Sequence, residues 1–178
     1  MSDRYEVRLS GAGGQGLVLA GVILAEAAAL YDGINAVQTQ SYGPEARGGA
    51  SKSEVIISDS DIDYPKATAI DLLLCLTQEA CDKYTDDLKE KGIIIADSRM
   101  VKELPDGNYT IYSLPIIDTA KEKVGKTFVA NIVALGVIAH LAEKVSFDSV
   151  LKAVLSRVPK GTEDLNKRAL QLGYELIG

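Results

Sequence analysis

The stretch that most constrains this chain is Gly11-Ala12-Gly13-Gly14-Gln15-Gly16, set between segments of opposite character. Ahead of it, Tyr5 to Ser10 alternates, with Tyr5, Val7 and Leu9 on one face, as a half-buried strand does. Behind it, Gln15 to Tyr31 is apolar and alanine-rich, with Leu17, Leu24, Ala27 and Ala28 at helical spacing, until Asp32-Gly33 stops the helix. Strand, tight glycine turn and helix in that order predict the opening of an α/β domain.

The rest of the chain continues the alternation. Ile34 to Gln40 and Ser51 to Ser58 read as strands, and the continuous apolar runs Ile70 to Leu76 and Ile93 to Ala96 suit strands covered on both faces. Glu79 to Lys91 carries mixed charge and reads as a solvated helix, and Tyr109 to Leu114 as a further short strand before Pro115. Phe128 to Leu141 is apolar almost all round, so a helix there must be buried, by its own chain or by a partner. Ser146 to Val158 and Thr162 to Ile177 are amphipathic helices, the first with Ser146 placed to cap it. The expected fold is α/β, a Rossmann-like three-layer domain with a mostly parallel sheet and C-terminal helices, occupying residues 1–178 as one unit.

Composition removes whole classes of function. The 178 residues include two Cys, one His and no Trp, with 19 basic against 25 acidic side chains and a net charge of −6. A chain of this size buries roughly 68 to 70% of its unfolded surface, so neither disulfide nor metal is required for a core. Cys75 and Cys81 are expected to be ordinary reduced thiols, His140 to satisfy a neighbour, and Asp97 to cap the segment after its strand. Asn131, inside the apolar helix, needs a partner because an unpaired buried amide costs ~1 to 3 kcal/mol. Two Cys and one His supply neither a four-Cys cluster site nor a Ser-His-Asp arrangement. The acidic balance argues against nucleic-acid binding, which needs clustered Lys and Arg. With charges at Asp3, Arg4 and Glu6 and no run of ~20 apolar residues, neither export nor membrane insertion is expected, which points to a reducing cytoplasm.

A glycine loop between strand and helix lets backbone N–H groups approach a diphosphate at the positive end of the helix. Gly11, Gly13, Gly14 and Gly16 would give donors, with Ala12 between them and Gln15 capping or touching a polar group. The same loop also serves plain close packing of strand, helix and a neighbouring chain. Dinucleotide enzymes add an acid near the end of the second strand to grip a ribose, and Val37-Gln38-Thr39-Gln40-Ser41 has none, which weakens a nicotinamide reading. The second loop, Ser41-Tyr42-Gly43-Pro44-Glu45-Ala46-Arg47-Gly48-Gly49, is more elaborate than a hairpin requires, and such loops at strand ends often carry function.

These two loops, with Ser53-Glu54-Val55-Ile56-Ile57-Ser58, Ile62-Asp63-Tyr64-Pro65, Asn131-Ile132-Val133-Ala134-Leu135-Gly136 and Val158-Pro159-Lys160-Gly161-Thr162-Glu163, resemble the gamma subunits of 2-oxoacid:ferredoxin oxidoreductases, most closely the 2-oxoglutarate type. The resemblance spans nearly the whole chain. It implies an assembly that converts a 2-oxoacid and coenzyme A into acyl-CoA and CO2 while reducing ferredoxin. Thiamine diphosphate with Mg2+ and iron–sulfur clusters would lie on alpha, beta and delta partners, whose motifs this chain lacks. The chain would then wall a composite site, with residues 11–16 near coenzyme A phosphates and Ser41, Tyr42, Gly43, Pro44, Glu45 and Arg47 facing the thiamine and substrate region. Arg47 would neutralise a phosphate or substrate carboxylate, or else form an intersubunit ion pair. The alternatives are a non-catalytic assembly module and a stand-alone NAD-dependent dehydrogenase. Without its partners the chain is expected to pair as a homodimer if a large apolar patch stays uncovered.

Overall fold

The computed structural model describes residues 4–41 and 49–178. Six strands form one sheet in the spatial order β2-β3-β1-β4-β5-β6. They are β1 (Arg4–Ala12), β2 (Asn35–Gln40), β3 (Ala50–Ser58), β4 (Ile70–Cys75), β5 (Leu88–Asp97) and β6 (Thr110–Leu114). β4, β5 and β6 follow β1 in parallel, whereas β3 runs antiparallel to both β1 and β2. β2 therefore points the same way as β1 with β3 inserted between them. This bears out the mostly parallel sheet and brings the ends of β1 and β2 to one edge.

The helices divide unequally between the faces. On one face lie α1 (Leu17–Glu26, continued by a wider turn over Ala27–Tyr31), α3 (Ile116–Asp118, continued over Thr119–Val124), α4 (Ala130–Ala142), α5 (Phe147–Arg157) and α6 (Glu163–Glu175). They pack on Val7, Leu9, Val55, Ile57, Leu72, Leu74 and Ile95. Among the described residues the other face carries only the short α2 (Gln78–Lys83), over Leu73, Cys75, Ile94 and Ala96. Strand alternation explains the split, because neighbouring residues of β4 and β5 enter opposite cores.

The apolar helix of the sequence reading is α4, and its own chain covers it. Nearly all of Ala130–Ala139 is buried between the sheet side and α5 and α6. α4 and α6 touch backbone to backbone, since a Cβ on Gly136 would run into the Leu170 carbonyl and one on Gly173 into that of Val133. His140 Nδ1 lies 3.0 Å from the Tyr174 carbonyl near the end of α6, where helical carbonyls lack internal partners. Ser146 caps α5, its hydroxyl accepting the Ser149 N–H at 3.2 Å. Asp32 ties α5 to the end of α1. Burial pushes its carboxyl up, but bonds from the Ser149 hydroxyl and the Ser146 amide and hydroxyl bring it below the usual value.

One expectation fails. The charged stretch 79–91 is not one helix: α2 ends at Lys83, and Leu88 begins β5 opposite Ile70. At the helix end the Tyr84 carbonyl, which lacks an internal partner, receives Arg8 Nη1 at 3.0 Å in a buried contact, and the charges of Lys89 to Lys91 sit on an exposed irregularity of the strand. Between Pro115 and Phe128, a stretch left unassigned above, α3 forms. Asp97 organises both sides of this turn, as expected of a capping residue. Its Oδ1 accepts the Arg99 and Met100 amides at 3.0 Å each, and its Oδ2 accepts Ile117 N–H at 2.8 Å. Among the described residues no helix is long and apolar enough to cross a membrane.

Candidate functional site

The two loops singled out by sequence leave the same sheet edge and touch. Gly13 N–H donates to the Gly49 carbonyl at 3.2 Å, and Ser41 N–H to the Lys52 carbonyl at 3.3 Å. Tyr84, at the end of α2, donates its hydroxyl to the Ala50 carbonyl at 3.3 Å, so the start of β3 is held from both sides. Tyr42, Gly43, Pro44, Glu45 and Arg47 lie outside the described residues.

Within the glycine loop each residue has a distinct place. Gly11 is still in β1, opposite Ser51, and a Cβ there would meet the Gln15 side chain. Gln15 turns back, its Oε1 accepting the Ala12 amide at 2.7 Å, so it caps the loop from within. Gly16 begins α1 with φ 75°, a left-handed conformation that favours glycine. Its carbonyl accepts Asn131 Nδ2 at 3.1 Å, and a Cβ on Gly16 would overlap that amide. Asn131 Oδ1 accepts Ile132 N–H at 2.9 Å, so both ends of this buried side chain are used. Gly14 has φ 88°, and a Cβ added there would meet none of the described atoms within 4 Å.

The amides of Ala12 and Gly13 are therefore engaged inside the protein. Those of the first turn of α1, Leu17, Val18 and Leu19, have no acceptor within the helix, and Gly16 offers no side-chain cap. They open on a cleft of about 280 Å³ lined by Ala12, Gly13, Gly14, Val18, Ser41 and Ser51. Lys52 contributes to its rim, yet strand alternation turns the ammonium to the opposite face, 3.7 Å from Glu54 and 5.5 Å from the Tyr84 ring centroid. The described part of the cleft thus offers amide dipoles, two serines and apolar side chains.

The opposite sheet face holds a charge network that sequence reasoning missed. Arg8, 2% exposed, gives Nε to Glu54 Oε2 at 2.6 Å and Nη2 to Asp87 Oδ2 at 3.0 Å. The signal was present, because Glu6, Arg8 and Ser10 alternate with the apolar face of β1, and Lys52 and Glu54 do the same in β3. Cys75 and Cys81 are free and buried. The neighbouring Cys81 thiol and burial push Cys75 well above the ordinary thiol value. No group of three or more His, Cys, Asp or Glu that could hold a metal ion occurs among the described residues.

The insertion of β3 also bears on dinucleotide binding. In that use of the fold the second strand lies beside the first and its terminal acid reaches the ribose. Here β2 is one strand further away, and it ends in Gln38, Thr39 and Gln40.

Comparison with known proteins agrees with this architecture. The family model for pyruvate ferredoxin/flavodoxin oxidoreductase matches residues 6–176. The chain is 55% identical over 175 residues to the 2-oxoglutarate synthase subunit KorC of Methanocaldococcus jannaschii, covering 97% of this chain and 94% of that protein. It is 48% identical to KorC of Methanothermobacter marburgensis, with 98% and 97% covered. A crystal structure of the gamma subunit of a keto/oxoacid ferredoxin oxidoreductase from Geobacter sulfurreducens superposes with a TM-score of 0.92 at 60% identity, over 97% of this chain and 95% of that one. Family model, relatives and solved structure agree over nearly the whole length of the chain, and the chain belongs to the pyruvate ferredoxin/flavodoxin oxidoreductase family as a gamma-type subunit.

Proposed function

We propose that this chain supplies one wall of the composite active site of a 2-oxoglutarate:ferredoxin oxidoreductase. The reaction converts 2-oxoglutarate and coenzyme A into succinyl-CoA and CO2, with ferredoxin taking up the electrons. Thiamine diphosphate, Mg2+ and the iron–sulfur clusters belong to alpha, beta and delta partners in the cytoplasm, because the donor set of this chain does not fit them. The observation that carries the reading is the cleft between the glycine loop and Ser41, at the edge where open α/β sheets bind ligands.

In this reading the coenzyme A diphosphate lies over Gly14 and Gly16 and against the first-turn amides of α1, where the helix contributes partial positive charge. Gly11, Ala12, Gly13 and Gln15 hold the loop in shape through their internal bonds. Ser41 leads toward the thiamine and substrate side, and Arg47 neutralises a phosphate or the substrate carboxylate from the adjoining segment. The competing reading is an assembly module that touches no small molecule, and the exposed Val18 and Leu19 beside the cleft favour it.

Gly14→Ala separates the two in the assembled enzyme. A Cβ there, on a residue that lines the cleft, meets none of the described atoms within 4 Å, and the positive φ costs about 1 to 2 kcal/mol. The expected result is a rise of about tenfold in the KM for coenzyme A, the size of one lost hydrogen bond to a charged group, with the subunit still associated. Loss of association with unchanged coenzyme A saturation would favour the assembly module.

A further inference from the structure

The two cysteines lie in the smaller core, on the sheet face that carries α2, and the reaction proposed above does not use them. Cys75 ends β4, and Cys81 sits within α2. The turn between them is fixed at both ends. Leu76 N–H donates to the Ser10 carbonyl at 3.0 Å, and the Thr77 hydroxyl, capping α2, accepts Ala80 N–H at 3.2 Å. Ala80 and Cys81 are the buried residues of that helix, and the Cys75 thiol donates a hydrogen bond to the Cys81 sulfur. This bond holds the Cys81 thiol below its ordinary value, against burial and the Asp82 carboxylate, and leaves Cys75 raised as the donor. Access also differs between the two. Cys75 is fully enclosed, whereas Cys81, 1% exposed, lies at the base of a surface cavity of about 300 Å³ shared with Asp82, Thr85, Glu103, Leu104 and Asp106.

We propose that Cys75 and Cys81 form a two-thiol site for hydrogen peroxide, which they reduce to water while closing an internal disulfide between β4 and α2. The assignment is independent of what the glycine-loop cleft binds. The Cys81 thiolate attacks one peroxide oxygen, so that an S–O bond forms as the O–O bond breaks, and the departing hydroxide takes up the proton Cys81 gave up. A sulfenic acid on Cys81 and one water result. Cys75 then attacks the same sulfur. The S–S bond forms, the S–O bond breaks, and the oxygen leaves with the Cys75 proton as a second water. The two thiols together lose two electrons and the peroxide gains them. Because the sulfurs are already in contact, closure outruns a second oxidation of Cys81, and a dithiol reductant restores the pair. The cavity selects the oxidant. A sulfur so little exposed admits a molecule close to water in size, and Asp82, Glu103 and Asp106 repel anions, so a neutral peroxide enters where an anionic disulfide such as oxidised glutathione does not.

The test is mass spectrometry of the full chain after addition of equimolar hydrogen peroxide without air. The expected product has lost two hydrogens, shows Cys75 linked to Cys81 in a non-reduced digest, and regains both thiols with a dithiol. Oxidised glutathione at the same concentration should leave both thiols intact. Unfolding in urea should slow the reaction with peroxide, whereas thiols that are merely buried would react faster once exposed. In Cys75→Ser, Cys81 should gain one oxygen that dimedone traps as a sulfenic acid. In Cys81→Ser, Cys75 should react at least about tenfold more slowly, since the thiolate is the attacking species and Cys75 is enclosed. A wild-type chain that keeps its thiols, gains oxygen without losing the two hydrogens, or links to a second chain overturns the proposal. Faster oxidation in urea, or equal oxidation by glutathione disulfide, overturns it as well.

Discussion

Gly173→Ala should lower the stability of the chain by about 3 kcal/mol, at the upper end of overpacking costs. The added methyl meets the Val133 carbonyl, a backbone atom that no rotamer change can move. Relief requires α6 to back away from α4, which opens the contacts of Ala169 and Leu170 with the core that also holds Val133 and Val137. A loss of this size corresponds to a fall in melting temperature of roughly 6 to 12 °C for a chain in this size range. Thermal unfolding of the purified chain measures it, and an unchanged midpoint would mean that the two helices do not cross at these glycines. Gly136→Ala should act similarly through the Leu170 carbonyl. The double variant should lose less than the sum, because one displacement of α6 relieves both clashes.

The second large effect is expected at Arg8. Arg8→Met removes the guanidinium from a side chain 3% exposed and leaves Glu54, 11% exposed, with the more distant Lys52 ammonium at 3.7 Å as its one ion-pair partner among the described residues. Breaking a buried pair by deleting one partner costs about 3 to 5 kcal/mol, mostly from the charge left behind. The buried Tyr84 carbonyl at the end of α2 would lose its donor as well. Arg8→Met combined with Glu54→Leu should recover much of the loss, since an apolar pair of similar volume carries no stranded charge. Chemical denaturation of both variants distinguishes this from simple loss of packing, which the double variant would not repair.

Legibility in the sequence followed the range of the interaction involved. The alternation of Tyr5, Val7 and Leu9 and the apolar runs at 70–76 and 93–96 are local signals, and each marks a strand. The direction of β3 is not local. Val55-Ile56-Ile57 reads the same in either orientation, and only pairing with β1 and β2 shows it to be antiparallel. The helix expected over 79–91 failed for a related reason: Leu88 and the residues after it pair with β4, more than fifteen residues earlier in the chain, as a strand. Asn131 announced itself as a polar residue in an apolar helix, but its partner, the Gly16 carbonyl, lies 115 residues away.

The site was legible as composition and not as bonding. Gly11 to Gly16 and Ser41 stood out because glycines and hydroxyls at strand ends are unusual enough to notice. Nothing in their order revealed that Gln15 would take the Ala12 amide or that Gly13 would be committed to Gly49. Those bonds narrow the available donors to Gly14, Gly16 and the first turn of α1. Phe128 was read as the start of a buried helix, yet α4 begins at Ala130 and the phenylalanine precedes it on an exposed turn.

Amide hydrogen exchange across residues 13–19 in the assembled oxidoreductase, with and without coenzyme A, tests the central claim most directly. Coenzyme A held over the glycine loop would slow exchange at Gly14, Gly16 and Leu17 to Leu19, whereas Ala12 and Gly13, already hydrogen-bonded, would change little. NAD should produce no protection. Exchange that stays the same at saturating coenzyme A, in an enzyme that turns over, would contradict the account and leave this edge of the sheet to subunit packing alone.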